Sequence, residues 1–121
     1  MQYKITTSIL LLLSIVLSSY AQTFSPLIEN KSSSFRGMST VGKNTVWVSG
    51  SNGTVGYSTN QGKTWTWVNP TGYEKFDFRD IQAFSNKEAV IINAGSPAVV
   101  LRTTDAGKTW HKVYENSHPE I

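Results

Sequence analysis

Two patterns of apolar positions divide the chain. Near the N-terminus, 9–17 (ILLLLSIVL) is a nine-residue apolar run with the single positive charge of Lys4 ahead of it. From Phe35 onward the apolar residues fall instead into short stretches rich in Val, Ile, Thr, Trp and Tyr, separated by Gly, Asn, Ser or Pro. Alternation is visible in Val46 and Val48 against Trp47 and Ser49, and in Val113 against Lys112 and Tyr114. A period of two places successive side chains on opposite faces of a strand. The pattern predicts strands at 35–41, 45–49, 54–58 and 64–68, then at 78–84, 89–93, 98–103 and 109–114. No segment keeps a 3.6-residue apolar period, so helix is nearly excluded.

The two sets of strands repeat one another. Ser58-Thr59-Asn60-Gln61-Gly62-Lys63-Thr64-Trp65 recurs as Thr103-Thr104-Asp105-Ala106-Gly107-Lys108-Thr109-Trp110, an offset of 45. Phe35-Arg36-Gly37-Met38 recurs as Phe78-Arg79-Asp80-Ile81 at an offset of 43, and Gly50 matches Gly95 at 45. A two-residue insertion is therefore expected in the loop between the Phe-Arg opening and that glycine. Periods of about 40–50 residues with several short strands each are the signature of propeller blades. The expected fold class is all-β: a β-propeller fragment of about two four-stranded antiparallel blades, at 35–74 and 75–116.

The octapeptide falls between the third and fourth strand of each unit, and its residues have structural tasks. Ser58 or Thr103 opens it, and Asn60 or Asp105 can accept hydrogen bonds from nearby backbone N–H groups, closing an Asx-type turn. Gly62 and Gly107 can take positive φ, which a β-carbon would penalise. Thr64 and Thr109 precede Trp65 and Trp110, which are expected to carry apolar surface into the blade core while their indole N–H groups find partners. Buried there, either Trp would cost about 3–5 kcal/mol on truncation to Ala.

These residues resemble Asp-box (BNR) repeats of β-propellers. The Phe-Arg-x-hydrophobic opening, the Gly at the end of the second strand and the octapeptide spacing together are most similar to the photosystem II stability/assembly factor-like propellers, including exported bacterial relatives. Thr103–Trp110 fits every fixed position of the motif, whereas the first copy has Asn60 in place of Asp. The resemblance implies about seven blades in a complete member, an Asp-box remote from any active site, and an arginine-rich surface used for partner-protein recognition. On that expectation 117–121 is the start of a truncated third blade; self-association of several short chains into one ring is the alternative.

Composition narrows the function classes. Residues 1–21, with small Ser19 and Ala21 before Gln22, read as a cleaved export signal. Polar Ser18, Ser19 and Gln22 stop the run short of the about 20 apolar residues a membrane span needs. The rest of the chain, led by the polar stretch 22–34, is then expected to be periplasmic or secreted, with no membrane anchor. Without Lys4 the Lys+Arg count drops from 11 to ten against 8 Asp+Glu, a net charge of +2. That is far from a nucleic-acid footprint. Cysteine is absent, which removes disulfides, thiol nucleophiles and thiolate metal sites.

Arg36 and Arg79 hold equivalent places at the start of the innermost strands. Pointing inward, they would begin a cationic ring able to grip carboxylate, sulfate or an acidic peptide bidentately. Otherwise each braces its own loop against Asp77 or Asp80. A sialidase-like reading lacks the Pro of its Phe-Arg-Ile-Pro motif, and Asp77 and Asp80 are expected on opposite strand faces, unlike the facing carboxylates of glycoside hydrolysis. Trp47, Trp65, Trp67 and Trp110 are the candidates for a sugar-stacking platform, foremost Trp67, read as turned away from Trp65. His111 and His118 have no ligand partners at metal-site spacing. The sequence thus points to an exported, non-enzymatic propeller scaffold with no cofactor, metal or catalytic residue. It would bind a protein or peptide partner, in assembly or stability of an envelope complex; the alternative is a carbohydrate-active propeller, glycosidase or lectin.

Overall fold

Eight strands run in sequence order: β1 (Phe35–Val41), β2 (Thr45–Gly50), β3 (Val55–Ser58), β4 (Thr66–Trp67), β5 (Asp77–Ala83), β6 (Ala89–Ala94), β7 (Ala98–Thr103) and β8 (His111–Asn116). They form two antiparallel sheets, β1-β2-β3-β4 and β5-β6-β7-β8, each a meander of neighbours. No helix occurs among the described residues, which in this computed structural model are 32–118. The export signal expected at 1–21 lies outside them, as do the expected lead-in up to 31 and the final 119–121.

The fourth strands start later than the apolar pattern suggests. Thr64 N donates to Asn60 Oδ1 and Thr109 N to Asp105 Oδ1, both at 2.9 Å. Those donors belong to the turn, and strand pairing resumes only at Thr66 and His111. The two extra residues of the second unit also sit elsewhere than expected. Phe35 faces Gly50 and Phe78 faces Asn93, so the first hairpins of both blades are equal in length. Ser49 then faces Val55, whereas Ile92 faces Val100. The insertion therefore lies in the β6–β7 hairpin, and Gly95, at φ 109°, is a turn residue there rather than the counterpart of Gly50.

The sheets stack face to face, with β1 and β2 against β5. Blade 1 offers small or hydroxyl-bearing residues at the closest approach. Ser49 Oγ donates to the Phe78 carbonyl at 3.0 Å, and Ser39 Oγ accepts from Ala83 N at 2.9 Å. At Gly37 a β-carbon would stand 2.6 Å from Ser49 Oγ and 3.0 Å from the Asp80 backbone, so only glycine lets the strands approach this closely. Between these contacts Trp47 enters the core, fully buried against Tyr57 with ring centroids 4.7 Å apart. Its Nε1 donates to the Ser85 carbonyl of blade 2 at 3.2 Å. Phe78, Ile81, Ile91, Val99 and Leu101 complete one cluster with Trp47 and Val55. The indole that anchors the core is thus that of β2, and not that of either octapeptide.

Candidate functional site

In each octapeptide the opening hydroxyl is the hub. Ser58 Oγ accepts from Gly62 N at 2.8 Å and donates to Asn60 Oδ1 at 2.8 Å. Thr103 Oγ1 does the same with Gly107 N at 2.8 Å and Asp105 Oδ1 at 2.9 Å. Both hydroxyl residues are buried, which a polar side chain tolerates because each hydroxyl is used as donor and acceptor. The turns differ at their last bond. Asn60 Nδ2 donates to Thr64 Oγ1 at 2.8 Å, whereas Thr109 Oγ1 donates to Asp105 Oδ2 at 2.5 Å. Together with the Thr109 amide, that hydroxyl holds the Asp105 carboxyl down to about 2 from its ordinary 3.8.

Two consecutive residues of each turn are left-handed: Gln61 and Gly62 at φ 63° and 84°, Ala106 and Gly107 at φ 60° and 78°. Glycine was the legible half of this pair. Gln61 and Ala106 take the same conformation with a β-carbon, held by bonds from their amides to the Asn44 and Lys87 carbonyls at 2.8 and 2.9 Å. The octapeptide thereby ties the third hairpin of a blade to its first.

Both octapeptide indoles are half-buried rather than interior. Trp110 reaches across to blade 1, its Nε1 donating to the Val68 carbonyl at 2.9 Å. Trp65 Nε1 donates to Gly62 in its own turn at 3.1 Å. Trp65 and Trp67 do not face opposite ways: their rings stack at 5.9 Å, and Trp67 stacks in turn on Phe35 at 6.1 Å. Residues i and i+2 of an extended segment share a face, and Trp67 lies over Gly56, where a β-carbon would collide with its ring.

The repeated Phe-Arg opening is a β-bulge. Register shifts between Phe35 and Gly37 and again between Phe78 and Asp80, so Arg36 and Arg79 are the extra, unpaired residues of the first strands. Asp77 joins them. Its Oδ2 lies 2.9 Å from Arg79 Nε and its Oδ1 3.7 Å from Arg36 Nε, so one carboxylate bridges guanidinium groups from both blades. That Oδ1 is buried without a closer partner among the described residues. Both arginines remain about half exposed, at 43% and 56%. Two cations share one anion here. The bulge also moves Asp77 and Asp80 onto the same face, since they oppose Ala94 and Ile92, two residues apart on β6. Asp77 is held by the arginines, and Asp80 Oδ1 accepts from Ile81 N at 2.9 Å.

Comparison with known proteins bears on this geometry. No family model matches the sequence, and no curated protein matches it. Among solved structures the chain is similar to YCF48 bound to D1 peptide, at 24% identity and a TM-score of 0.57, covering 69% of this chain and 27% of that one. It is also similar to YCF48 from Cyanidioschyzon merolae, at 26% identity and a TM-score of 0.54, covering 73% of this chain and 26% of that one. The two sheets are blades of a β-propeller. The chain spans about a quarter of the length of those YCF48 structures.

Proposed function

We propose that this chain is part of an exported, non-enzymatic propeller scaffold that holds a protein or peptide partner, with the Arg36–Asp77–Arg79 rim as its anionic-group receptor. The observation that carries the reading is the shared carboxylate: two half-exposed guanidinium groups from successive blades converge on Asp77, and both approach it through Nε. Both guanidinium groups stay about half exposed, and bidentate capture of a carboxylate is the chemistry guanidinium performs best. The likeness to a YCF48 structure bound to D1 peptide supports a peptide as the ligand class. The octapeptide turns fit the Asp-box role of stiffening blades, and a role in assembling an envelope complex accords with the apolar N-terminal run.

The test is charge reversal. Arg36→Glu with Arg79→Glu should weaken binding of an acidic peptide at least about tenfold, equivalent to about 1.4 kcal/mol. Fluorescence polarisation with a labelled acidic peptide and a scrambled neutral control reads it directly. The wild-type affinity should also fall with added salt. Equal affinity of the double variant would remove the rim from the binding surface.

A further inference from the structure

A cleft lies where the two blades meet, between the linker that follows β4 and the second octapeptide. The sequence builds the linker side as a tight turn. Tyr73 N donates to the Pro70 carbonyl at 3.3 Å, and Gly72 takes φ 91°, the positive value that a turn of this kind needs at its third residue. Pro70 is buried beneath, and Asn69, Thr71 and Tyr73 line this wall. Lys108, Thr109 and Trp110 line the other, and the space between is about 260 Å³. Gly107 draws the walls together: a β-carbon there would stand 2.5 Å from the Val68 side chain. Both walls belong to the described blades, so the cleft does not depend on what covers their open faces.

Its groups are held in place by bonds made elsewhere. Asn69 Oδ1 accepts from Val55 N at 2.9 Å, the Tyr73 ring packs edge-on to Phe76 at 4.9 Å, and the Trp110 indole is tied to the Val68 carbonyl. With Oδ1 used by the backbone, Asn69 keeps Nδ2 as a donor; Thr109 gives its proton to Asp105 and keeps lone pairs. Among the described residues, Asn69 Nδ2, Thr71 Oγ1 and Lys108 Nζ have no hydrogen-bond partner. The polar hollow at the first octapeptide is different. There Gln61 Nε2 bonds to Asn44 and Asn60 Nδ2 to Thr64, so the side chains satisfy one another.

The lining states what would fit. Two half-buried aromatic rings offer apolar contact, and the remaining side chains offer donors and acceptors at their edge. No carboxylate lines the cleft, which suits neither a cationic nor a wholly apolar ligand. A pyranose combines both requirements, with C–H bonds on its ring face and hydroxyls around its rim. The volume lies below the about 300–1,000 Å³ of pockets for drug-sized ligands, so a single ring enters rather than an extended chain.

We propose that this cleft binds one pyranose unit of a glycan, with Tyr73 and Trp110 against its C–H face and Asn69, Thr71 and Lys108 bonded to its hydroxyls. Arg36, Asp77 and Arg79 do not line it, so the glycan is a second ligand class beside the peptide of the arginine rim.

A nuclear magnetic resonance titration of the isotope-labelled chain with methyl pyranosides tests it, using a neutral hexoside, an N-acetylhexosaminide and a uronide. At least one should shift the Trp110 indole and Asn69 side-chain amide signals saturably, while the Trp47 indole, buried in the core, stays in place. Trp110→Phe assigns the indole signal. Thr71→Val combined with Lys108→Met alters only exposed side chains, so the variant should keep the wild-type circular dichroism spectrum. It should raise the dissociation constant for that sugar at least about tenfold. No saturable shift at Trp110 with any of the three sugars overturns the proposal, as does equal affinity in the double variant. Saturation of the same signals by an acidic peptide alone overturns it too, and would make the cleft part of a peptide groove.

Discussion

Asn60 and Asp105 occupy one position of one turn, and they show how a single atom changes what a residue contributes. Asn60 supplies its acceptor to Thr64 N and its amide to the Thr64 hydroxyl. Asp105 accepts at both places and therefore prefers to be ionised, with its carboxyl held at about 2. A carboxyl depressed in the folded state adds stability above its ordinary value of 3.8 and loses it as pH falls through about 2. Asp105→Asn should consequently flatten the acid limb of the stability curve between roughly pH 4 and 2. Denaturant titrations across that window read the slope, and an unchanged slope would refute the assignment. Next door, Ala106 holds φ 60° with a β-carbon. Left-handed backbone costs an L-residue about 1–2 kcal/mol, part of which glycine returns as unfolded-state entropy. Ala106→Gly should raise stability by up to about 1 kcal/mol, seen as a higher urea midpoint at constant slope. The turn's outline was legible in the sequence because Asn, Asp and Gly have narrow conformational uses. The second left-handed residue was not, because Gln and Ala announce no turn; amide bonds from the neighbouring hairpin hold them there.

Strands declared themselves through alternation, and all eight begin and end within two residues of the pattern, although β4 is cut to Thr66–Trp67. Register did not. A bulge inserts one residue and inverts the parity of everything beyond it, so Asp77 and Asp80 share a face that strict alternation denies them. Arg36 and Arg79 were legible as a repeated pair, but their convergence on one carboxylate depends on which blade faces which, and no local pattern encodes that. The same holds for the tryptophans: four indoles look equivalent by composition, and only the stacking of β2 on β5 selects Trp47 for the interior. Gly37 tests the element-scale account. It sits where β1 meets β5, with no room for a β-carbon before Ser49 Oγ and the Asp80 backbone. Gly37→Ala should destabilise the protein by about 1–3 kcal/mol through overpacking. Since the backbone there has no positive φ to relieve, Ser49→Gly in the same chain should recover part of the loss. A thermal-melt comparison of the single and double variants decides whether crowding is the cause.

The two sheets do not own separate cores, and this sets how the molecule should unfold. Trp47 comes from blade 1, yet it is buried in one cluster with Phe78, Ile81, Ile91 and Leu101 of blade 2, and its indole bond ends on Ser85. Trp110 makes the return connection, from blade 2 to the Val68 carbonyl. Removing Trp47 therefore takes the packing from both blades at once. Truncation of a buried Trp to Ala costs about 3–5 kcal/mol, a large part of the stability of a small domain. If the blades were independent, Trp47→Ala would weaken β2 and its neighbours and leave blade 2 protected. With a shared core, amide protection in β5 and β6 should fall together with that in β1 and β2, and by the same free energy, because sub-global opening of one blade exposes the other. Hydrogen exchange followed by mass spectrometry distinguishes the outcomes peptide by peptide. Preserved protection across β5–β7 in the variant would show that each blade stands alone, and would separate the arginine rim into two unrelated halves.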